Sequence, residues 1–210
     1  MKKLFGATLI VIFLGTANSL LAVNQKTKIK ELEQRIAKLE KALKPFLVQQ
    51  KTKINTKINT KKMQTQARTR MREDSKNYSR TQLREIEALY KSRGQKWGSA
   101  QKTKNLKLVI SKYPKANRAG CAMLYLGQTS KGEVQENYFK QAIEKYSDCF
   151  YGNGVQVGPY AKFYLALAYF KSGKKSQAMA LFNEIKTKFP NAIDHRQRNL
   201  ASMINKMKIK

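Results

Sequence analysis

Acidic residues are scarce in this chain of 210 residues. It has 13 Asp and Glu against 43 Lys and Arg, which gives a formal charge of +30 at pH 7. An excess of this size predicts attraction to anionic partners. The length allows one modest domain plus extensions.

Residues that build metal and catalytic sites are also few. His195 is the only histidine, and Cys121 and Cys149 are the only cysteines, so no zinc pattern is present. His195 stands beside Asp194 where the last helix is expected to begin, a position that favours a surface or capping role over acid–base chemistry. The glycine-rich residues 152–158 do not follow a strand of a βαβ unit, so they are interpreted as a long turn and not as a phosphate loop. With no nucleophile motif and no carboxylate pair, the sequence predicts no enzyme, no catalytic residue and no cofactor.

The N-terminus has the three-part layout of a secretory signal peptide over residues 1–22. Two lysines precede the apolar run LFGATLIVIFLG, which is too short for a comfortable membrane span, and small residues follow it. Cleavage after Ser19, or as a second choice after Ala22, predicts a periplasmic or otherwise exported protein. An uncleaved membrane anchor is the alternative, because residues 20–23 prolong the apolar run. No cysteine follows the run, which argues against a lipoprotein.

Export bears on the two cysteines. In an exported protein, Cys121 and Cys149 can form a disulfide. Two small buried thiols are the alternative. The sequence leaves both open.

Residues 23–44 carry the seam of a short coiled coil. The a and d positions, at alternating steps of three and four residues, are Ile29, Leu32, Ile36, Leu39 and Leu43. Lys28 and Arg35 fall at g, and Glu33 and Glu40 fall at e five residues later, so each cation can meet a carboxylate of a parallel neighbour. This pattern predicts a homo-oligomer, with dimers favoured and trimers left open. A lone amphipathic helix packed on its own domain is the alternative, since the seam spans fewer than three full heptads.

Pro45 is expected to end that helix. Residues 45–78 then form a basic linker, whose sparse apolar residues cannot offset the entropy of ordering it. It is interpreted either as a solvated tether or as a strap that binds lipid head groups or anionic cell-wall polymers. The strap would use Lys51, Lys53, Lys57, Lys61, Lys62, Arg68, Arg70 and Arg72.

Residues 79–210 are predicted to form a domain of repeated helical hairpins. Ser79 with Gln82 makes a capping box at its start. Three later helices end alike, with an aromatic residue followed by Pro or Ser, at Tyr113, Tyr146 and Phe189. The first two of these ends are 33 residues apart, close to the period of about 34 residues of a common helix-turn-helix repeat.

The last of these units resembles the tetratricopeptide repeat. Counted from Pro159, the seventh, eighth, eleventh, twentieth, twenty-fourth and thirty-second residues match its signature: Leu165, Ala166, Tyr169, Ala178, Phe182 and Pro190. Lys162 departs from the tryptophan-like fourth position. The resemblance implies two antiparallel helices in close contact, with Gly173 at the turn between them.

The other two units match less closely. Phe139 and Ala142 fit the second helix of the middle unit, but Gln135 stands where a small residue is usual. The first unit has an apolar second helix with Leu106, Val109 and Ile110. The predicted fold class is therefore all-α, with an α-solenoid of tetratricopeptide-like hairpins over about residues 81–190.

A final helix is expected to cap the stack, because an end repeat would otherwise expose an apolar face. Asp194 with Gln197 is expected to start it. Its apolar face would comprise Leu200, Met203, Ile204 and Met207.

The insertion between the last two units, residues 149–160, is the best local candidate for a binding feature. Insertions in repeat arrays tend to project from one face. Phe150, Tyr151 and Tyr160 would supply aromatic contact area for a protein partner. The alternative is that these rings pack beneath the loop.

The order of signal peptide, short coiled coil, polar linker and C-terminal repeats resembles the periplasmic Tol–Pal-associated cell-division coordinator proteins. The resemblance implies a non-enzymatic envelope scaffold that self-associates through its N-terminal helix and binds envelope proteins or peptides through its repeats. An anion-binding envelope protein that acts through the basic linker is the alternative. Nucleic acid, a natural partner for this charge, is disfavoured by export.

Overall fold

The computed structural model describes residues 4–92 and 94–207, with side chains described for 27–48, 59–92 and 94–207. The described residues are all-helical apart from turns and two isolated β-bridges, and they contain no strand. The helices are α1 (Leu4–Glu73), α2 (Arg80–Lys91), α3 (Ala100–Lys112), α4 (Asn117–Thr129), α5 (Gly132–Lys145), α6 (Val157–Lys171), α7 (Lys175–Lys188) and α8 (Leu200–Lys206), with a 3₁₀ turn at Asp74–Lys76. The chain divides into two compact units after Lys53.

The first unit is described only through α1. The side chains of the predicted signal peptide, residues 1–22, lie outside those that the structure describes. Residues 27–48 are helical and solvent-exposed along their whole length. In the described part of the chain, no helix is long and apolar enough to cross a membrane.

Pro45 does not end the first helix, so that expectation is wrong. α1 continues through it to Glu73, at the cost of the hydrogen bond that the missing N–H would donate. In the heptad register Pro45 falls at position c, on the far side of the helix from the a/d seam. The seam therefore continues past the proline, and Phe46 takes the next d position.

The last turns of α1 pack into the second unit, where a solvated tether is expected. Thr60, Met63 and Ala67 are buried, and their spacing of three and four residues puts them on one helical face. Asn59 Nδ2 donates a hydrogen bond to Asn191 O at 3.0 Å. Residues 59–73 therefore pack on the domain core through this one face, despite their basic composition.

The insertion at 149–160 folds back on itself and packs against α1. The Tyr151 N–H donates to Val155 O and the Val157 N–H donates to Cys149 O, both at 2.8 Å. Gly154 has a φ of +93°, and a Cβ at this position would lie 3.0 Å from Met63 Cβ. Glycine is needed here both for the backbone conformation and for the close approach. The insertion thus clamps the end of α1 instead of projecting from the domain.

A buried polar network joins α1, the insertion and α4. Both carboxylate oxygens of Asp74 accept from the Asn117 N–H, at 3.0 Å each, so Asp74 caps the N-terminus of α4 from a distant part of the chain. The Asn117 side chain pairs with the Phe150 backbone, donating to its carbonyl and accepting from its N–H at 2.7 Å each. Arg70 forms ion pairs with Asp74 at 2.9 Å and with Asp148 at 2.8 Å.

Helices α2 to α7 follow one another as three consecutive pairs, and each helix packs on the next. The capping box of Ser79 and Gln82 opens α2, as predicted. In the middle pair, Phe139 and Ala142 are buried as predicted. Gln135 donates to Gly127 O at 3.1 Å and to Ser130 O at 2.9 Å, so the residue that departs from the repeat pattern closes the turn between α4 and α5.

The last pair runs antiparallel. Lys162 Nζ lies 2.8 Å from Glu184 Oε2, and the ring centroids of Phe163 and Phe182 are 6.1 Å apart. Lys162 and Glu184 are each 11 residues from Gly173, which makes the turn with a φ of +80°. The two-helix hairpin predicted for the unit that begins at Pro159 is therefore present.

The last helix begins later than expected. Asn199, not Asp194, is its N-cap, and its side chain accepts from the Ser202 N–H at 2.8 Å. Asp194 instead organises the preceding turn by accepting from the Arg196 and Arg198 N–H groups. Leu200 and Ile204 are buried against the core, as expected for the apolar face of this helix.

The first helices of the three pairs form one layer. α4 contacts both α2 and α6 directly, in addition to its neighbours in sequence. Side chains on the open side of this layer therefore converge although they are far apart in the chain.

We predict that Asn117→Ala lowers the free energy of unfolding by about 2–3 kcal/mol, because it leaves the buried Phe150 N–H and carbonyl without this partner. Asn205→Ala, at an exposed position of α8, should change it by less than about 0.5 kcal/mol. Chemical denaturation of both variants measures the difference. Equal effects would show that the network does not stabilise the domain.

Candidate functional site

A groove on the layer of α2, α4 and α6 is the best candidate for a functional site. It has a volume of about 590 Å³, within the usual range for ligand sites of about 300–1,000 Å³. We call it the tyrosine groove, and its lining comprises Tyr90, Lys91, Trp97, Lys102, Tyr125, Gln128, Tyr151, Tyr164 and His195. Each of the three helices contributes one tyrosine, and the loops before α3, α6 and α8 contribute the other rings.

An aromatic pair forms one end of the groove. The Trp97 and Tyr125 ring centroids are 4.1 Å apart with a tilt of 52°. The Tyr125 hydroxyl accepts from the Gly98 N–H at 2.8 Å, which fixes the loop that carries Trp97. Trp97 nevertheless keeps 66% of its surface exposed, so a large apolar face is held open to solvent.

A lysine ammonium lies above two tyrosine rings beside this pair. Lys102 Nζ is 5.2 Å from the Tyr90 ring centroid and 5.9 Å from that of Tyr125. It also donates to the backbone carbonyls of Tyr90 and Lys91, at the C-terminus of α2. Burial lowers the pKa of Lys102. Among the described residues, this ammonium has no carboxylate partner.

The nearby acidic residue is already neutralised. Glu87 pairs with Arg118, whose Nη2 is 3.2 Å from Glu87 Oε2, and with Lys91 at 3.3 Å. The Arg118 guanidinium in turn lies 4.6 Å from the Tyr90 ring centroid. The described residues of the groove lining include no Asp or Glu, so their local charge is positive.

The other end of the groove is a packed cluster of rings. The His195 imidazole makes edge contacts with Tyr151 and Tyr160, at centroid distances of 4.6 and 5.2 Å. Asn153 Nδ2 lies 3.1 Å from His195 Nδ1. Burial lowers the pKa of His195, so this ring is neutral near pH 7. It serves as a wall of the groove.

Of the three aromatic residues predicted to bind a partner, only Tyr151 lines the groove. Its hydroxyl donates to Cys121 O at 3.0 Å. Phe150 and Tyr160 are buried, because the insertion closes over them. Tyr160 supports the groove from below, with its hydroxyl 3.3 Å from that of Tyr164.

The residues predicted to bind anions differ in their surroundings. Arg70 is held in the internal ion pairs with Asp74 and Asp148 and is not free for a ligand. The cations exposed on the same part of α1 are Lys61, Lys62, Arg68 and Arg72. The side chains of Lys51, Lys53 and Lys57 lie outside the described residues.

The structure holds both cysteines as free thiols. Cys121 and Cys149 are buried, and burial raises the pKa of Cys121 to about 12. Cys121 Sγ donates to Phe150 O at 3.4 Å. The described residues contain no cluster of ligands that could hold a metal ion.

The predicted seam of α1 is open to solvent. Its members Ile29, Leu32, Ile36, Leu39 and Leu43 are each 52–62% exposed, and Phe46 at the added d position is 69% exposed. The described part of the chain provides no cover for this face.

Most of the groove was not foreseen from the sequence. Tyr90, Tyr125 and Tyr164 each look like ordinary helix residues in the sequence. They line one surface only because their three helices lie in the same layer. Trp97 offers a signal, because it is the only tryptophan and stands in a polar loop. No known protein family, curated protein or solved structure matches this chain.

We predict that the fluorescence of Trp97 is quenched more strongly by iodide than by caesium, since the groove is positive. At an ionic strength of about 0.1 M, charges act over only about 10 Å. Lys102→Gln should then lower the ratio of the iodide to the caesium quenching constant by about twofold, from the screened Coulomb energy at such distances. Lys104→Gln, an exposed change elsewhere on α3, should leave the ratio unchanged. An unchanged ratio in Lys102→Gln would mean that Lys102 does not set the potential at Trp97.

Proposed function

We propose that this protein is a non-enzymatic scaffold or adaptor of the cell envelope, which self-associates through α1 and binds extended peptides of partner proteins in the tyrosine groove. The observation that carries the proposal is the groove itself, in which three successive first helices present aromatic side chains to one open surface. Concave surfaces of stacked helical pairs suit extended ligands. Aromatic residues are enriched in protein interfaces.

We also propose that the domain is built from tetratricopeptide-like hairpins. The antiparallel α6 and α7, the contact of α4 with both α2 and α6, and the apolar face of α8 support it. Export by a cleaved signal peptide and a periplasmic location remain proposals drawn from residues 1–22, with an uncleaved anchor as the alternative.

Self-association rests on the exposed seam of α1. Six apolar side chains at a and d spacing stay in contact with water on an isolated helix. The g and e charges of Lys28, Arg35, Glu33 and Glu40 suit a parallel second copy. The α1 helix of a second copy would bury the seam and pair these charges. The continuous α1 supports a seam that includes Phe46.

We predict that replacing both Ile36 and Leu39 with Asp gives a monomer whose second unit remains folded, because the change places charges in the seam. Gln34→Asp with Ala37→Asp is the matched control, since it adds the same charge at positions f and b of the same helix. Sedimentation equilibrium gives the mass, and far-UV circular dichroism with thermal melting reports the fold. A parent protein that is already monomeric would rule out self-association through α1.

We predict that the full-length protein retains a subset of peptides from an array of random 15-residue sequences, and that Trp97→Ala weakens their binding by about tenfold or more, as expected for a tryptophan that anchors a ligand. Leu108→Ala removes another exposed large apolar side chain, outside the groove, and should leave affinity within about twofold. Fluorescence polarisation with the retained peptides measures both. If no peptide is retained, or if both variants bind like the parent, the groove is not a peptide site.

A further inference from the structure

Lys102 is a partly buried cation that is satisfied only by neutral groups. Its ammonium donates to two backbone carbonyls and lies over the rings of Tyr90 and Tyr125. A lysine withdrawn from water normally finds a carboxylate, because neutral partners only partly replace its hydration. No Asp or Glu of the described residues pairs with it. Among the described lining residues, Lys102 is therefore a cation at the groove edge without a carboxylate partner.

The carbonyls at the C-terminus of α2 offset only part of this charge, and no ionised carboxylate of the described residues offsets the rest. Glu87 is engaged by Arg118 and Lys91, and His195 at the far end is neutral near pH 7 because burial lowers its pKa. The aromatic rings offer only the weak attraction of their faces. An incoming anion would thus meet one preformed ammonium in a setting partly shielded from water, where a charge-assisted hydrogen bond is stronger than at an open surface.

An open apolar surface lies next to this charge. Trp97 packs against Tyr125, and Tyr125 also lies beneath the Lys102 ammonium. One tyrosine ring is thus shared by the cationic and the apolar parts of the groove. A ligand that uses both must carry its anionic group and its apolar group close together.

We propose that the tyrosine groove selects an acidic peptide segment, in which one carboxylate contacts Lys102 and a neighbouring aromatic or large aliphatic side chain packs on Trp97 and Tyr125. This inference rests on the proposed function and specifies the class of peptide. A single ammonium matches one carboxylate, whereas a phosphate group or a polyanion would need several donors around it. The Gln128 amide, which also lines the groove, offers a donor and an acceptor for the peptide backbone.

The test uses the full-length protein and the peptides that the random 15-residue array retains. We expect these peptides to carry Asp or Glu within two residues of an aromatic or large aliphatic side chain. Re-synthesis with Asn or Gln at that acidic position should weaken binding about tenfold, the size expected for loss of one charge-assisted hydrogen bond.

The protein variants assign that preference to one side chain. Lys102→Gln should weaken binding of the acidic peptides about tenfold and leave the affinity of the amide versions unchanged, whereas Lys102→Arg should retain the preference. Lys104→Gln is the matched control on the same helix and should bind like the parent. Because the amide peptides bind through the remaining contacts, their unchanged affinity also shows that Lys102→Gln is folded.

The two proposals fail in different ways. Retained peptides without acidic residues, or an acid preference that persists in Lys102→Gln, would overturn this inference and leave the groove as a peptide site. Absence of any retained peptide would overturn both. Binding of peptides that is lost in Trp97→Ala but shows no acid preference would support the proposed function alone.

Discussion

The domain depends on one buried carboxylate, that of Asp74, which lies where three irregular parts of the chain meet. It caps α4 through the Asn117 N–H and pairs with Arg70 at the end of α1, and Asn117 extends the network to Phe150 in the insertion. Burial raises the pKa of Asp74, against the lowering that the Asn117 N–H and Arg70 cause. The folded protein therefore holds this proton more tightly than the unfolded chain, so ionised Asp74 costs stability above its pKa, and the cost falls as the pH drops. Because the partners of Asp74 meet only in the native arrangement, we expect this group to select that arrangement more than to add net stability.

The paired helices could be predicted because their signals are local. The apolar spacing of Ala178 and Phe182, with Gly173 before them, defines α6 and α7 without knowledge of any neighbour. The packing of α1 could not be predicted in this way. Among the residues of α1 whose burial is described, only Met63 and Ala67 are both buried and apolar. Their partners come from an insertion about ninety residues away. The continuation of α1 through Pro45 could not be predicted either, because the loss of one hydrogen bond does not stop a helix that continues on both sides.

Most of the groove lining could not be predicted from the sequence. The aromatic residues of the insertion were expected to bind a partner. The insertion packs against α1 instead, and of these residues only Tyr151 lines the groove. Tyr90, Tyr125 and Tyr164 become a site because α4 touches both α2 and α6. That adjacency is a property of the tertiary fold. Lys102 donates to carbonyls and not to a carboxylate, and this could not be predicted from the sequence.

The two cysteines have a consequence for how this chain reaches its native state. Both thiols are buried and protonated, and neither is bonded to the other. Folding therefore requires no oxidant, no disulfide exchange and no particular redox compartment. The native structure described here is therefore compatible with a reducing environment and with an oxidising one, because no covalent link between distant residues has to form.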